Sequence, residues 1–149
     1  MKNLLEEATY LELTSRLQKL QPDSKALWGK MNVAQMLAHV SEAYKVPLSD
    51  TAVPRLFIGR LIGWALKPMM YNDKPWKKNL PTAPSFIITA EKDFHKEMLG
   101  QLTLVEKFHK AKAEDIGRHP HPMFGNFTTE QWGKAMYKHL NHHLVQFGL

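Results

Sequence analysis

The sequence contains no cysteine among its 149 residues. This absence excludes disulfide bonds, thiolate ligands to a metal ion, and a cysteine nucleophile. It leaves the compartment open, because a chain without cysteine tolerates either redox environment.

Long hydrophobic runs are also missing. The most apolar stretch, residues 53–70, is interrupted by Arg55, Arg60 and Lys67. Its central apolar part, residues 61–66, is far shorter than the roughly 20 residues that cross a bilayer. The N-terminus lacks the apolar core of a signal peptide. We therefore expect a cytoplasmic protein with no membrane partner.

Acidic residues are too few to balance the basic ones, and the formal net charge is +6. This excess suits an anionic substrate, nucleic acid or an anionic surface. The lysines are spread along the chain, without an arginine-rich run or a known nucleic-acid motif. We therefore expect a small-molecule substrate and no nucleic-acid partner.

Alternating strand patterns are absent, and the strand-like run at residues 86–89 is too short to build a sheet. Helical periodicity instead predicts one all-α domain over residues 1–149. A helix at 54–70 is expected to bury its apolar side chains against the other helices. The four long helices are expected at residues 3–20, 32–46, 89–110 and from 128 onward, with loops at 71–88 and 112–127.

Helix starts carry capping signals. Asn32 with Gln35, and Thr128 with Gln131, fit the capping-box spacing, and Thr89 is expected to cap the helix at 89–110. In the first helix the expected buried stripe is formed by Leu4, Ala8, Leu11, Leu17 and Leu20.

Histidines are the main chemical signal. His139 and His143 are four residues apart, so in a helix their imidazoles lie on one face, about one turn apart. Trp132 and Met136 begin the same stripe, which favours an inward direction. His39, at the border of an apolar helical face, offers a third imidazole. Three histidines on one ion leave open coordination positions, as catalysis requires; the alternative is a set of core or surface histidines without a metal.

The neighbours of these histidines have several candidate roles. Gln35 or Glu42 could orient His39 through its second ring nitrogen. Glu42 could instead act as a general base or be a solvated surface residue. His142 lies about 100° around the helix from His143 and is expected to stay off the ion.

Two further histidines, His119 and His121, alternate with Pro120 and Pro122 in the second long loop. They could supply a lid donor or a fourth ligand. The favoured interpretation is a turn whose imidazoles cap backbone carbonyls.

Three stretches resemble the DinB-like (DinB/YfiT-like) superfamily of metalloenzymes, specifically an uncharacterised branch, and the resemblance covers nearly the whole chain. Its sharpest part is a histidine, three residues, a second histidine and then a glutamine, here His139, His143 and Gln146. The stretches are residues 32–39, 121–125 and 138–148.

The resemblance implies a four-helix bundle with an additional short helix between the second and third bundle helices. It implies that His39, His139 and His143 bind a divalent metal ion, most often nickel or zinc. Characterised members of the superfamily include thiol-dependent S-transferases and a mycothiol-dependent isomerase. A low-molecular-weight thiol is therefore an expected substrate.

Three functions follow as hypotheses. The first is a metal-dependent S-transferase or hydrolase, in which an external thiol or water supplies the nucleophile that the chain lacks. The second is a non-catalytic metal- or ligand-binding bundle. The third is an interaction protein that forms a homodimer through the helix at 54–70.

Overall fold

Helices are the regular secondary structure of the chain, and non-helical connections of varied length join them. The computed structural model describes residues 1–149 and contains no β-strand, only an isolated bridge between His121 and Gly125. The predicted all-α class is confirmed. The α-helices are α1 (Glu7–Leu17), α2 (Val33–Lys45), α3 (Phe57–Leu66), α4 (Phe94–Lys110) and α5 (Thr129–Gln146), and short 3-10 helices cover Lys67–Met70, Pro84–Phe86 and Ala113–Asp115.

Both predicted capping boxes are present. The Asn32 side chain accepts the Gln35 backbone N–H at 2.9 Å, and the Gln35 side chain accepts the Asn32 N–H at 3.1 Å. Thr128 and Gln131 make the same reciprocal pair at the start of α5. Because each box satisfies two otherwise unpaired backbone donors, it fixes where the helix begins.

The predicted start of the fourth helix is wrong. Asp93, rather than Thr89, caps α4 by accepting the Lys96 backbone N–H at 2.7 Å. The Thr89 carbonyl instead accepts a hydrogen bond from the Gln35 side chain. Residues 89–93 therefore belong to the connection from the 84–86 turn, which lies against α2.

The predicted buried face of the first helix is also partly wrong. Ala8 and Leu11 are exposed, whereas Thr9, Leu13 and Leu17 are buried at a spacing of four residues. The helix covers only Glu7–Leu17. Leu4 and Leu20 of the predicted stripe therefore lie outside it, and they do not share a helical face with the residues between them.

The four longer helices share one apolar core. Helices α1 and α2 each contact both α4 and α5. Large fully buried side chains include Trp132 of α5, Tyr44 of α2 and Phe108 of α4. This packing holds α2 and α5, which carry the three candidate ligands, side by side.

Helix α3 packs against the loop before α5 through two glycines rather than through its large apolar side chains. Its buried residues are Gly59 and Gly63, and a Cβ atom there would lie 2.5 and 2.1 Å from the Met123 carbonyl oxygen. The expectation that this helix buries its apolar side chains is therefore wrong, because its glycine face makes the contact. The side chains left exposed are Phe57, Ile58, Leu61, Ile62, Trp64 and Leu66.

None of the helices combines the length and apolar character needed to span a membrane. The expected homodimer stays a prediction.

Candidate metal centre

Three histidines from two helices meet in the core. His39 of α2 and His139 and His143 of α5 are 5%, 8% and 7% exposed. One ring nitrogen from each lies within 4.8 Å of the other two. The i, i+4 spacing on α5 and the contact of α2 with α5 together produce this cluster.

His39 is oriented by backbone. Its Nδ1 lies 2.8 Å from the Phe86 carbonyl oxygen, in the short 3-10 helix against α2. Because a carbonyl can only accept, Nδ1 carries the proton and the neutral ring has a lone pair on Nε2. That Nε2 lies 3.2 Å from the Nε2 of His139.

His143 is oriented by an amide. Its Nδ1 lies 2.8 Å from the Gln146 Oε1 atom, while Gln146 Nε2 donates to the Trp28 carbonyl at 2.7 Å. The Trp28 contact fixes which end of the amide is the oxygen, so His143 donates through Nδ1. Its Nε2 is left with a lone pair.

The three rings are held neutral. Burial lowers the pKa of His39, and it lowers the pKa of His143 to about 3. Burial, with the neighbouring imidazoles, places the pKa of His139 well below its usual value. Neutral imidazole is the form that binds a metal ion, so no proton has to leave at neutral pH.

The donor set fits a divalent transition metal ion. Two imidazole nitrogens, each about 2.1 Å from one tetrahedral zinc ion, lie about 3.4 Å apart. The observed 3.2 Å between the Nε2 atoms of His39 and His139 is close to that spacing. The other nitrogen–nitrogen distances are at most 4.8 Å, and small side-chain rotations would shorten them. Three buried neutral histidines can therefore hold a metal ion and leave it a free coordination position.

An aromatic wall covers one side of the cluster. The Trp76 ring lies 5.4 Å from the His139 ring and 5.6 Å from the His142 ring. Trp76 belongs to the loop between α3 and α4, and its Nε1 donates to the Met69 carbonyl. Sequence reasoning missed this contact because no local pattern connects a loop tryptophan at position 76 with a histidine at position 139.

Glu42 lies apart from the three rings. Its carboxylate pairs with Lys45 at 2.5 Å and is partly exposed. The Gln35 side chain donates to the carbonyls of Thr89 and Ala90. The group that orients His39 is therefore the Phe86 carbonyl, in place of Gln35 or Glu42, and a general-base role for Glu42 stays a prediction.

His142 lies beside the cluster, with its ring 5.2 Å from that of His143, but it is not one of the three grouped histidines. Its ring is half-buried and lies between Trp28, at 5.8 Å, and Trp76, at 5.6 Å. It therefore faces a neighbouring cavity and offers no nitrogen to the three-histidine group.

His119 and His121 hold the loop before α5. His119 Nε2 donates to the Asp50 carbonyl at 3.0 Å. His121 Nδ1 instead accepts the backbone N–H groups of Met123 and Phe124 at 3.0 and 3.2 Å. The turn interpretation is right for both residues, but only His119 caps a carbonyl.

Replacing Gln146 by leucine is expected to weaken metal binding roughly 10–100-fold, the usual cost of removing an outer hydrogen-bond partner of a histidine ligand. The change leaves the buried Nδ1–H of His143 unpaired and frees the ring to rotate. Calorimetric titration of the metal-free protein with zinc measures the effect. Gln18→Leu, at the exposed end of α1, is the matched control and should bind as the wild type does; equal affinity in both variants would remove the orienting role.

Acid is expected to destabilise the fold through His121. Burial, and then the positive charge of Arg55, lowers the pKa of this imidazole to about 4, whereas an unfolded histidine titrates near 6.5. The unfolded state therefore binds more protons between these values, so this contribution is complete above about pH 6.5 and is lost as pH falls toward 4.

Between pH 7 and pH 5 the loss from this residue is about 2 kcal/mol. His121→Asn keeps an acceptor for the Met123 N–H but cannot titrate. Urea unfolding at both pH values should show a smaller drop in the variant. An identical drop would show that His121 does not titrate as described.

Helical packing and three convergent buried imidazoles define a class: an all-α protein with a histidine cluster able to hold a metal ion. The chain belongs to the family described as Protein of unknown function (DUF1569), which matches residues 2–148. No curated protein and no solved structure matches the chain.

Proposed function

We propose that this protein is a metal-dependent enzyme built on a DinB-like four-helix bundle with α3 as the additional helix. His39, His139 and His143 would hold a divalent ion, nickel or zinc, for an S-transfer or hydrolysis reaction on a small molecule. Two hydrogen bonds support this most directly. The Phe86 carbonyl and the Gln146 amide oxygen accept the Nδ1 protons of His39 and His143, which leaves the Nε2 lone pair of each ring available to a metal ion.

A structural role for the histidines would not require that arrangement. Core histidines without a ligand gain most when both ring nitrogens have protein partners. Here each Nδ1 proton of His39 and His143 has a fixed acceptor, and the remaining nitrogens converge on one another. Such outer hydrogen bonds also strengthen a histidine as a ligand.

Each part of the chain then has a distinct task. The ion, when bound, would supply Lewis acidity that activates water or a thiol and polarises an electrophile. His39, His139 and His143 would hold it, while Phe86 and Gln146 fix the ring orientations. The Trp76 ring would limit access of water to the site. The thiol or water must come from outside, because the chain has no cysteine.

The alternative function is a non-catalytic binding bundle. The direct contact between His39 Nε2 and His139 Nε2, at 3.2 Å, favours it, because His139 can donate to His39 when no ion is bound. In that case a metal or a polar ligand would stabilise the fold without turnover.

A reaction assay separates the two functions. Protein loaded with nickel or zinc is tested for hydrolysis of p-nitrophenyl acetate and for transfer of 2-mercaptoethanol to 1-chloro-2,4-dinitrobenzene. The enzyme hypothesis expects a rate above that of the metal-free protein, lost in His139→Ala and retained in His95→Ala, whose histidine is exposed on α4. A metal-loaded protein without turnover in either assay would favour the binding bundle.

A further inference from the structure

A cavity adjoins the candidate metal centre, and residues of α5 form part of its wall. Its volume is about 390 Å³, and none of its nine lining residues is acidic. This volume is in the range of small-molecule sites. The charged and aromatic residues of its lining are Trp28, Trp76, Lys78, Lys138 and His142.

Two lysines make the lining of this cavity positively charged, and one of them, Lys138, is buried. Lys138 is only 5% exposed, and its Nζ donates to Met69 O, Asn72 O and Asn72 Oδ1 at 2.7, 2.9 and 2.7 Å. These oxygens satisfy the ammonium protons but carry no net charge. The nearby acid, Asp73, is exposed and pairs with the N-terminal amine of Met1.

A buried cation whose partners are neutral costs solvation energy that only a nearby anion recovers in full. No carboxylate of this chain forms an ion pair with Lys138, and Lys78 has none either; the Lys78 Nζ lies 4.6 Å from the centre of the Trp28 ring. Lys78 therefore supplies the ammonium group that an outside anion can contact in this cavity, and Lys138 adds a second positive charge to its wall.

Two tryptophan rings also line the cavity, together with Leu27, Pro75, Asn141 and Val145. The centres of the Trp28 and Trp76 rings lie 5.8 and 5.6 Å from that of His142. Indole faces bind planar apolar groups as well as cations. The lining thus combines two lysines for an anionic group with two indoles for an apolar body.

Two cavity walls are shared with the three-histidine cluster. Trp76 packs on His139 at 5.4 Å, and the His142 ring lies 5.2 Å from that of His143. A molecule held here would lie one side chain away from the metal ligands.

We propose that this cavity binds a small organic anion, a carboxylate with an attached planar or apolar group, and that this molecule is the substrate presented to the metal centre. Binding of the anion stands on the cavity alone. Its assignment as substrate rests on the proposed function.

Four tryptophans provide the test. Trp28 and Trp76 line the cavity, whereas Trp132 lies in the core and Trp64 is exposed on α3. The indole N–H signals of ¹⁵N-labelled protein are followed while benzoate is added at constant ionic strength, with benzamide as the uncharged control of equal shape. Metal-free and zinc-loaded samples are titrated separately.

Saturable shifts confined to Trp28 and Trp76 are expected with benzoate, and benzamide should bind about tenfold more weakly, as befits loss of charge-assisted contacts. Lys78→Gln should weaken benzoate binding by a similar factor of about ten and leave benzamide unchanged. Equal binding of the two compounds, equal response of all four tryptophans, or no saturation would overturn the proposed anion site.

The two proposals fail in different ways. Benzoate binding to metal-free protein that takes up neither zinc nor nickel would contradict the metal-dependent enzyme and the substrate assignment but leave the anion site standing. Zinc binding without a preference for benzoate would do the reverse.

Discussion

Metal binding is expected to disappear when His139 is replaced by alanine. The three rings form a nearly equilateral group, in which the His139 ring lies 5.2 Å from that of His39 and 5.0 Å from that of His143, and the His39 and His143 rings lie 4.9 Å apart. Loss of a direct ligand must cost more than the roughly 10–100-fold that loss of an outer hydrogen bond costs. Calorimetric titration of metal-free protein with zinc or nickel should show tight binding in the wild type and none in the variant.

The same result is expected for His39→Ala and His143→Ala. His142→Ala supplies the matched control, because it removes an adjacent imidazole that faces the cavity between Trp28 and Trp76. Circular dichroism of each variant establishes that it is folded. Equal loss of binding in all four variants would overturn the assignment of the ligands, since His142 would then belong to the same group.

Replacing Trp132 by alanine is expected to lower the free energy of unfolding by about 3–5 kcal/mol, the usual cost of truncating a buried aromatic residue. Its side chain is 1% exposed. Its ring packs edge-on against that of Phe127 at 4.8 Å, and it is tilted against that of His121 at 5.7 Å. Truncation therefore opens a cavity where α5 meets the preceding loop. Urea unfolding followed by circular dichroism measures the change.

Trp64→Ala is the control for this prediction, because Trp64 is 75% exposed on α3. The same truncation there should change stability by no more than about 0.5 kcal/mol. Similar losses in both variants would mean that the outer face of α3 is covered in solution. A small loss for Trp132 would contradict its place in the core.

Local sequence patterns were sufficient for much of the framework. The capping boxes at Asn32 and Thr128 depend on residues three apart, so they could be recognised directly. The shared face of His139 and His143 likewise follows from helical geometry alone. Position along α2 placed His39 at the border of the apolar face, and its side chain is 5% exposed in the structure.

Helix α3 shows where such patterns fail. Its apolar residues predict burial, yet Gly59 and Gly63 form the contact with the Met123 backbone. The close approach requires residues without a Cβ, and it leaves the large side chains outside. Periodicity counts apolar side chains and therefore gives no weight to a face made of glycine.

The surroundings of the site were the least predictable part. The group that orients His39 is the backbone carbonyl of Phe86, and every residue has such a carbonyl. Its selection depends on how the loop before α4 crosses α2. Gln146 did carry a signal, since it lies three residues after His143 on the same helical face, but its anchor, the Trp28 carbonyl, is distant in sequence.

Elemental analysis of protein purified without a histidine tag or chelator shows whether His39, His139 and His143 bind a metal ion. We expect about one equivalent of a divalent transition metal per chain, since the single three-histidine group can hold one ion. No metal in the purified protein, and none after incubation with nickel, zinc and manganese, would contradict this expectation and leave the three histidines as structural residues.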